Sequence, residues 1–244
     1  MQHASAARAA RQMRWVIDAG PDVVVLTEVS AGPGGEAAAH ALSVAGYTVH
    51  LPPAPDRYRV LLGARSATID PVEFAGVAAH RGVAATVKLP AGQASVLGLY
   101  VPSRGPKTER NIAKRAFQDA VTAALPHWNA ARPPETPAVV LGDLNVVEPG
   151  HVPHYAVYGG WEYDFYRAFD RNDHLDAFRL RHPGAVEHSW FGRARSDGHR
   201  NGYRFDHAFI DRAHRDDVTG CHYDHAPRLT SLSDHSALWL ELRV

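Results

Sequence analysis

The apolar residues of the chain follow two patterns in turn, helical spacing and short continuous runs, which together predict a protein of helices and buried strands. In the segment ASAARAARQMRWVIDAG, the apolar positions Ala7, Met13 and Val16 share one side of a helix, and Gly20 gives it a C-terminal stop. The next segment, PDVVVLTEV, is a continuous apolar run that reaches Glu28. Such a run is typical of a strand buried on both faces.

The same alternation continues through the middle of the chain. A helix is predicted over 35–45, and strands are predicted over 47–51 and 58–64. RGVAATVKL and ASVLGLYVP predict two neighbouring strands joined by the turn PAGQ. KTERNIAKRAFQDAVTAALPHW predicts a long helix that leads into the buried strand of TPAVVLGDLNVV. After it, EPGHVPHYAVYGGWEYD is rich in Gly, Pro and aromatic residues and predicts a loop.

The last third of the chain predicts a short helix in NDHLDAFRLRHP and late strands in GYRFDHAFID and HSALWLELRV. No repeat, low-complexity linker or change in composition divides the sequence. We therefore predict one domain over 1–244 with an α/β fold. Two sheets covered by helices are expected, because there are too many buried runs for one open sheet.

Composition and charge narrow the class of protein. Hydrophobic residues make up 45% of the 244 and charged residues 21%, the balance of a soluble globular protein with a substantial core. The 26 Lys and Arg residues equal the 26 Asp and Glu residues, so no overall charge draws the protein toward nucleic acid or anionic lipid. No run approaches the roughly 20 apolar residues that span a bilayer. The one cysteine, Cys221, fits a reducing compartment, and we expect a cytoplasmic monomer with no membrane partner.

Polar side chains gather where the predicted strands end or begin. They are Glu28, Tyr100, Asp143, Asn145, Asp206, His207, Asp234 and His235. Asp and Asn also begin turns, so a turn explains any one of them alone. Several together favour a site, because layered α/β proteins build their sites from the loops at strand ends.

Asp-His doublets occur three times, in YRFDHAFID, CHYDHAPR and LSDHSAL. His207 follows Asp206 in a strand, so its side chain points to the opposite face, and we predict a structural role for it. The middle doublet, Asp224-His225, predicts a loop. The last doublet either caps the final strand as a turn or takes part in catalysis.

Five motifs occur in the order and spacing of one family: VVVLTEV, LYVPSRG, VVLGDLNVVEPG, HSWFGRARSDGHRNGYRFDHAFI and LSDHSAL. On these, the chain resembles the endonuclease/exonuclease/phosphatase superfamily, and most of all its exonuclease III and abasic-site endonuclease branch. The resemblance implies a four-layer α/β sandwich of two packed mixed sheets flanked by helices. It also implies a divalent-metal-dependent phosphodiester hydrolase, a DNA endonuclease or 3′-exonuclease of DNA repair, with DNA as its substrate and Mg²⁺ or Mn²⁺ as its cofactor.

The resemblance assigns metal and phosphate contacts to residues of these motifs. Glu28 takes the place of the family's metal-ligand carboxylate, and Asp234 takes the place of an acid that assists the metal. One glutamate is chemically sufficient as an anchor, because Mg²⁺ takes one or two protein carboxylates and keeps several waters. Tyr100 takes the place of a tyrosine that contacts the phosphate, with a core tyrosine as the alternative.

The resemblance also assigns the hydrolytic roles. Asp143 resembles the residue that orients or deprotonates the attacking water, and Asn145 resembles the amide that fixes the same phosphate region. His235 resembles the imidazole that faces the scissile phosphate, and Asp206 the carboxylate that holds it. An imidazole held by a buried carboxylate keeps its tautomer and supports a positive charge near phosphate, which favours catalysis over the turn for the last doublet. Asp176 matches a family aspartate that we expect to be structural and to tie down the loop after Asn145.

Two basic loops are candidates for substrate binding. The first contributes Arg104, Lys107 and Arg110, and the second contributes Arg193, Arg195, Arg200 and Arg204, with Tyr203 placed to stack on a base or sugar. Lysine and arginine in such loops suit contacts with successive phosphates. A solvated basic face explains the same residues, because the net charge of the chain is zero.

The sequence departs from the family at its start. Family members begin with a strand that ends in a Trp-Asn pair, and this sequence begins after that point, so we expect the first strand to be missing and the native protein to be longer by one strand. Two other functions stay open. One is a phosphatase or phosphodiesterase that acts on a small or lipid-linked phosphate ester. The other is an inactive, truncated nucleic-acid-binding module.

Overall fold

The computed structural model of the protein describes residues 1, 4–55, 57–105 and 108–243. Its helices are α1 (Ala6–Ala19), α2 (Pro33–Val44), α3 (Thr108–Ala131), α4 (Gly160–Arg171), α5 (Ala177–Arg181) and α6 (Ala226–Leu229), with a short 3₁₀ helix over Arg212–Asp217. Its strands are β1 (Val23–Ser30), β2 (Tyr47–His50), β3 (Tyr58–Arg65), β4 (Thr68–Val72), β5 (Gly82–Leu89), β6 (Gly92–Tyr100), β7 (Ala138–Asp143), β8 (His174–Asp176), β9 (Trp190–Phe191), β10 (Gly202–Tyr203), β11 (Asp206–Asp211), β12 (Val218–Asp224) and β13 (Ala237–Leu242). The predicted α/β class is confirmed.

The described residues form two compact units. The first unit comprises Met1–Tyr100 and His127–Gly142, and the second comprises Val101–Pro126 and Asp143–Arg243. The chain passes between them several times, so neither unit is one continuous stretch of sequence. A single domain over 1–244 stays a prediction.

The first unit holds two groups of strands and the first two helices. β3 lies between β1 and β2, and both pairings are antiparallel, while β4, β5, β6 and β7 follow one another in a second group. The core beside β1 is filled by Ala9, Met13 and Val16 of α1 and by Leu42 of α2, all of them buried. α1 ends at Gly20 in a left-handed conformation, as the sequence predicted.

The strand β1 differs from its prediction. The sequence predicted a strand buried on both faces, but in the structure only Val24 and Val29 of this strand are buried. The register against β3 shifts between Leu26 and Val29, which is a β-bulge, and Glu28 within it has a φ of 54°. A bulge turns a side chain out of the regular alternation of a strand. The irregularity therefore falls on the predicted metal-binding carboxylate.

A glycine shapes the end of β7. Gly142 has a φ of 142°, and a Cβ atom on it would lie 2.0 Å from the main-chain oxygen of Leu99. Only glycine satisfies both conditions. The close approach fixes the course of the chain as it enters Asp143.

The second unit is built around three antiparallel strand pairs, β8 with β11, β9 with β10, and β12 with β13. One part of its core contains the buried side chains of Val147, Tyr158 and Phe205. Among the described residues of the whole chain, no helix is both long and apolar enough to span a membrane.

Three local predictions for the second unit were wrong. The segment 148–164, predicted as a loop, contains the start of α4, whose Glu162 forms a capping box with the main chain of Gly159. The predicted helix in NDHLDAFRLRHP begins with β8 and becomes α5 only at Ala177. Asp224, predicted to lie in a loop, is the last residue of β12. Glycines and aromatic residues obscured the helical spacing of α4, whose buried face lies mainly after the quoted segment.

Candidate active site

The last Asp-His doublet supplies half of an ion pair. The Nδ1 atom of His235, which lies just before β13, is 2.7 Å from Oδ2 of Asp206, the first residue of β11. Burial lowers the pKa of His235, but the Asp206 carboxylate, supported by the charges of Asp143 and Asp234, raises it to about 10. The imidazole is therefore protonated at neutral pH, with Nδ1–H donated to Asp206 and Nε2–H left to donate to a ligand.

A buried serine holds the Asp206 end of this pair. The Oγ atom of Ser189 accepts hydrogen bonds from the main-chain N–H groups of Phe205, at 3.0 Å, and of Asp206, at 3.2 Å. Burial raises the pKa of Asp206, but His235 and a side-chain hydrogen bond with Ser189 outweigh this, and the pKa lies below its usual value. The Tyr223 hydroxyl donates to the main-chain oxygen of Asp206 at 2.5 Å. Asp206 is thus fixed as a carboxylate.

Trp190 orients the acid next to the histidine. Its indole Nε1–H donates to Oδ2 of Asp234 at 3.2 Å, and its main chain forms an isolated antiparallel bridge with His235. The main-chain N–H of His235 also donates to Oγ of Ser233 at 3.1 Å. Both members of the doublet therefore have partners beyond those of a strand-capping turn.

Asp143 and Asn145 form a second polar pair in the same unit. Oδ1 of Asp143 accepts from the main-chain N–H of Asn145 at 2.9 Å, and its Oδ2 accepts from the Asn145 side-chain nitrogen at 3.0 Å. The same nitrogen donates to the main-chain oxygen of Val101 at 2.9 Å. Since both neighbours are acceptors, they fix the amide orientation and direct Oδ1 of Asn145 away from them. Asn145 has a φ of 49°, which L-residues seldom adopt.

Glu28 and Tyr100 are paired in the first unit. The Tyr100 hydroxyl donates to Oε1 of Glu28 at 2.5 Å, and Tyr100 itself is buried. The bulge in β1 and this hydrogen bond set the carboxylate in one orientation, with Oε2 as a further oxygen donor. Oxygen donors from one or two carboxylates are what Mg²⁺ takes from a protein, so Glu28 fits this cation. Among the residues that the structure describes, no group of three or more His, Cys, Asp or Glu side chains forms a metal site.

Two of the arginines predicted to bind phosphate are bonded within the protein, and a third is exposed. Arg104 is ion-paired with the buried Glu162 at 2.8 Å, and Arg200 donates to the main-chain oxygens of Gly192 and Phe191, so both guanidinium groups already have partners within the protein. Arg110 is exposed.

Two further predicted substrate-binding residues are Tyr203 and Lys107. The Tyr203 ring stacks on Phe205, with ring centres 5.0 Å apart. Lys107 lies outside the described residues.

One basic residue of the second loop is not at the surface. Arg204, predicted to contact phosphate, is fully buried and ion-paired with Asp176 at 2.7 Å and Glu148 at 2.9 Å. Arg179 binds the other side of Glu148, with Nε 2.6 Å from Oε2. Burial raises the pKa of Asp176, but Arg204 and His207 outweigh this and hold it well below its usual range. Arg204 is therefore structural, and Asp176 is tied through it to the chain just after Asn145.

The other two doublets have ordinary partners. His207 is buried, and its Nε2 lies 2.9 Å from the main-chain oxygen of Val146, in agreement with the structural role predicted for it. Oδ1 of Asp224 accepts from the main-chain N–H of Ala226, the first residue of α6, at 2.8 Å. His225 lies 2.8 Å from the Ser236 hydroxyl.

Sequence reasoning missed three polar residues of this region: Ser189, Glu148 and Lys114. Ser189 lies within the quoted HSWF motif, but a serine beside an aromatic pair gives no sign that its hydroxyl will be buried. Glu148 follows the Asn145 loop closely, and the Pro-Gly pair after it suggested only a turn. Lys114 stands among charged residues on α3, and its burial depends on partners far away in the sequence.

Comparison with known sequences gives one family match. The model of the Endonuclease/Exonuclease/phosphatase family matches residues 2–235. No curated protein sequence matches the chain.

Solved structures share the fold at low sequence identity. An AP endonuclease from Archaeoglobus fulgidus superimposes with a TM-score of 0.76 at 18% identity, over 96% of this chain and 95% of its own. The 3′-5′ exonuclease NExo from Neisseria meningitidis gives 0.81 at 21%, over 98% and 96%. A 3′ phosphatase NExo from Neisseria, bound to a product DNA hairpin, gives 0.77 at 20%, over 98% and 95%.

Proposed function

Because the chain belongs to the endonuclease/exonuclease/phosphatase family, we propose that it is a divalent-metal-dependent phosphodiester hydrolase that cleaves DNA, as an endonuclease at abasic sites or as a 3′-exonuclease. The predicted superfamily and the predicted class of enzyme, a hydrolase of phosphodiester bonds, are confirmed by this membership. The observation that carries the proposal is the protonated His235 held by Asp206, with Asp143 near enough to raise its pKa. A cation and an anionic base in one place suit attack by water on a phosphate.

The second unit supplies the groups that act on the phosphodiester. His235 directs Nε2–H at a phosphate oxygen and stabilises the negative charge that grows there as water attacks. Asp143, whose carboxylate is oriented by two hydrogen bonds from Asn145, accepts a proton from the attacking water. The Oδ1 atom of Asn145 would accept a hydrogen bond from the same water or help to hold a cation.

The first unit offers the carboxylate for the metal ion. Glu28 would hold Mg²⁺ or Mn²⁺, with Tyr100 fixing the carboxylate through Oε1. In the second unit, Asp234 stays a metal residue that the family resemblance predicts, and its Oδ2 accepts from Trp190. The cation, when bound, draws charge from the phosphate and lowers the pKa of bound water.

A second candidate function is the hydrolysis of a small phosphate ester. The guanidinium groups of Arg104 and Arg200 are bonded within the protein, and the net charge is zero. A surface that follows several successive phosphates needs free cationic groups. A substrate with a single phosphate needs only the groups near His235.

A cleavage assay on a small panel of substrates separates these functions. The panel is duplex DNA with one abasic site, the same duplex without it, a duplex with a 3′-phosphate, and bis-p-nitrophenyl phosphate, each with Mg²⁺ and with EDTA. Mg²⁺-dependent cleavage of DNA is expected, with selectivity for the abasic or the 3′-modified end. Turnover of the small ester alone would favour the second candidate, and no turnover from folded protein would contradict the enzymatic proposal.

A further inference from the structure

A lysine is buried beside the loop that carries Asp143 and Asn145. Lys114 lies on α3 and is fully buried, with its Nζ 2.6 Å from Oε1 of Glu162, which is also fully buried. The same Nζ donates to the main-chain oxygen of Asn145 at 2.8 Å. The rings of Tyr158 and Trp161 flank the ammonium group, each with its centre 5.7 Å away. One ammonium group thus joins two helices to the loop.

Stability alone does not explain a buried ion pair of this kind. Removing an ammonium and a carboxylate from water costs free energy that their attraction barely recovers, and well-packed apolar residues often serve stability as well or better. What an apolar pair lacks is a donor for the main-chain oxygen of Asn145. The buried ion pair therefore supplies a hydrogen bond to the Asn145 loop that apolar packing cannot supply.

Glu162 is itself held in place. Its Oε2 accepts from Arg104 at 2.8 Å and from the main-chain N–H of Gly159 at 3.1 Å, at the start of α4. Since two donors other than Lys114 hold Oε2 of Glu162, the position of the Lys114 ammonium is set by α4. The donor that faces Asn145 is therefore preorganised and does not follow movements of the loop.

The loop needs such a donor. Asn145 has a φ of 49°, which costs free energy for a residue other than glycine and persists only where the surroundings enforce it. Its N–H and its side-chain nitrogen both donate to Asp143, at 2.9 and 3.0 Å. A rotation of the Asn145 main chain would break both hydrogen bonds and move Asp143 and Asn145 together.

We propose that Lys114 is a positioning residue for hydrolysis, whose ammonium group, anchored by Glu162, fixes the main chain of Asn145 and thereby aligns the Asp143 carboxylate and the Asn145 amide. This role rests on the proposed function of the two residues. In this role, Lys114 makes no contact with the substrate. Its removal should lower kcat and leave KM almost unchanged, because binding groups elsewhere stay in place.

The test compares three variants with the wild type on the substrate that the wild type cleaves best. Lys114→Met removes the donor and leaves Glu162 uncompensated. Glu162→Gln keeps the donor, and Lys114→Met/Glu162→Gln removes the donor and both charges. The matched control is Lys88→Met/Asp70→Asn, which neutralises a surface ion pair of 2.7 Å in the first unit. For each variant, kcat, KM, the melting temperature and the hydrogen-exchange rate of the Asn145 amide are measured.

The double variant decides the matter. It should regain most of the melting temperature that Lys114→Met loses, yet its kcat should stay about 10- to 100-fold below wild type with KM within about threefold, and its Asn145 amide should exchange at least about tenfold faster. Glu162→Gln should give a kcat between those of the wild type and the double variant, because its amide oxygen still offers the Lys114 donor one acceptor, and the surface control should stay within about threefold of wild type.

Two outcomes would overturn the proposal, and they are distinguishable. A double variant with wild-type kcat would show that Lys114 serves stability alone, with the proposed function intact. A wild-type protein that turns over no phosphate ester would overturn the function and with it the role. Should Lys114→Met fail to fold by itself, Glu162→Gln and the double variant still give the comparison of donor kept against donor removed.

Discussion

At the scale of single residues, the proposed chemistry depends on whether the His235 imidazole is protonated. Asp206 is held as a carboxylate by Ser189 and by His235, and His235 keeps a proton with a pKa of about 10. Because folding raises the pKa of His235 above its ordinary 6.5, the pair stabilises the fold fully between about pH 3.8 and pH 6.5, and this contribution is lost as the pH rises through about 10. Because folding lowers the pKa of Asp206 below 3.8, the contribution also declines in acid.

Asp206→Asn should therefore change the pH dependence of activity as well as its size. Without the carboxylate the pKa of His235 falls, so the imidazole loses its proton at pH 8 and keeps it near pH 5. We expect kcat/KM to drop about 10²- to 10⁴-fold at pH 8 and distinctly less near pH 5. The pH profile of kcat/KM measures this, with Asp224→Asn as the control. An equal loss at both pH values would mean that Asp206 does not set the protonation of His235.

The residue scale also shows what a single sequence reveals. The pairing of Asp206 with His235 was expected from the family resemblance, and the structure brings the two side chains to 2.7 Å. Their catalytic roles stay predictions. The burial of Arg204 was not foreseen, because an arginine in a basic loop gives no sign of the carboxylates of Asp176 and Glu148 that receive it.

At the scale of elements, irregular backbone marks the ends of strands that carry site residues. Glu28 lies in the bulge of β1, and Asn145 follows β7 with a positive φ. Gly142, the residue of β7 before Asp143, lies where the chain passes against the main chain of Leu99. Strain of this kind persists only where packing enforces it, and it is common at functional sites.

Gly142→Ala tests how strictly the end of β7 is fixed. The added Cβ would lie 2.0 Å from the Leu99 oxygen at a φ of 142°, so the main chain must shift. We expect the free energy of unfolding to fall by about 3 kcal/mol or more, together with most of the activity. Urea unfolding measures this, with Gly150→Ala as the control, since a Cβ there meets nothing within 4 Å. Similar small losses of stability in both variants would show that position 142 in β7 tolerates a side chain.

Elements with regular periodicity were the ones that the sequence predicted well. α1, α3, β5 and β6 were expected close to where they lie, since each has a clear helical or apolar pattern. α4 was missed because glycines and aromatic residues obscured its start, and β12 was missed because its sequence does not alternate cleanly. Both depend on tertiary packing more than on local pattern.

At the scale of the whole molecule, positive and negative charges are balanced, and several arginines are bonded within the protein. The net charge is zero, and Arg104, Arg179, Arg200 and Arg204 all have internal partners. Under the proposed function, affinity for DNA would come from a few local contacts near the proposed catalytic groups.

This balance predicts a shallow dependence of DNA binding on salt. Each neutralised phosphate adds about −0.9 to the slope of log K against log salt, so two to four contacts should give a slope of about −2 to −4. Fluorescence anisotropy of a labelled abasic duplex between 50 and 200 mM salt, with EDTA present to prevent cleavage, measures it. A slope steeper than about −6 would contradict this account, because it would require more free cationic side chains in contact with DNA than the account allows.

The most direct test of the central claim is the rate of abasic DNA cleavage by His235→Gln, measured against the wild type in Mg²⁺ at pH 7.5 under single-turnover conditions. Glutamine keeps an N–H donor of similar reach but carries no positive charge, so we expect a rate about 10³-fold lower with an unchanged fold. Asp224→Ala, which changes the other doublet, should cleave within about twofold of wild type. Equal and mild effects from both substitutions would contradict the claim that the His235–Asp206 pair is the catalytic centre.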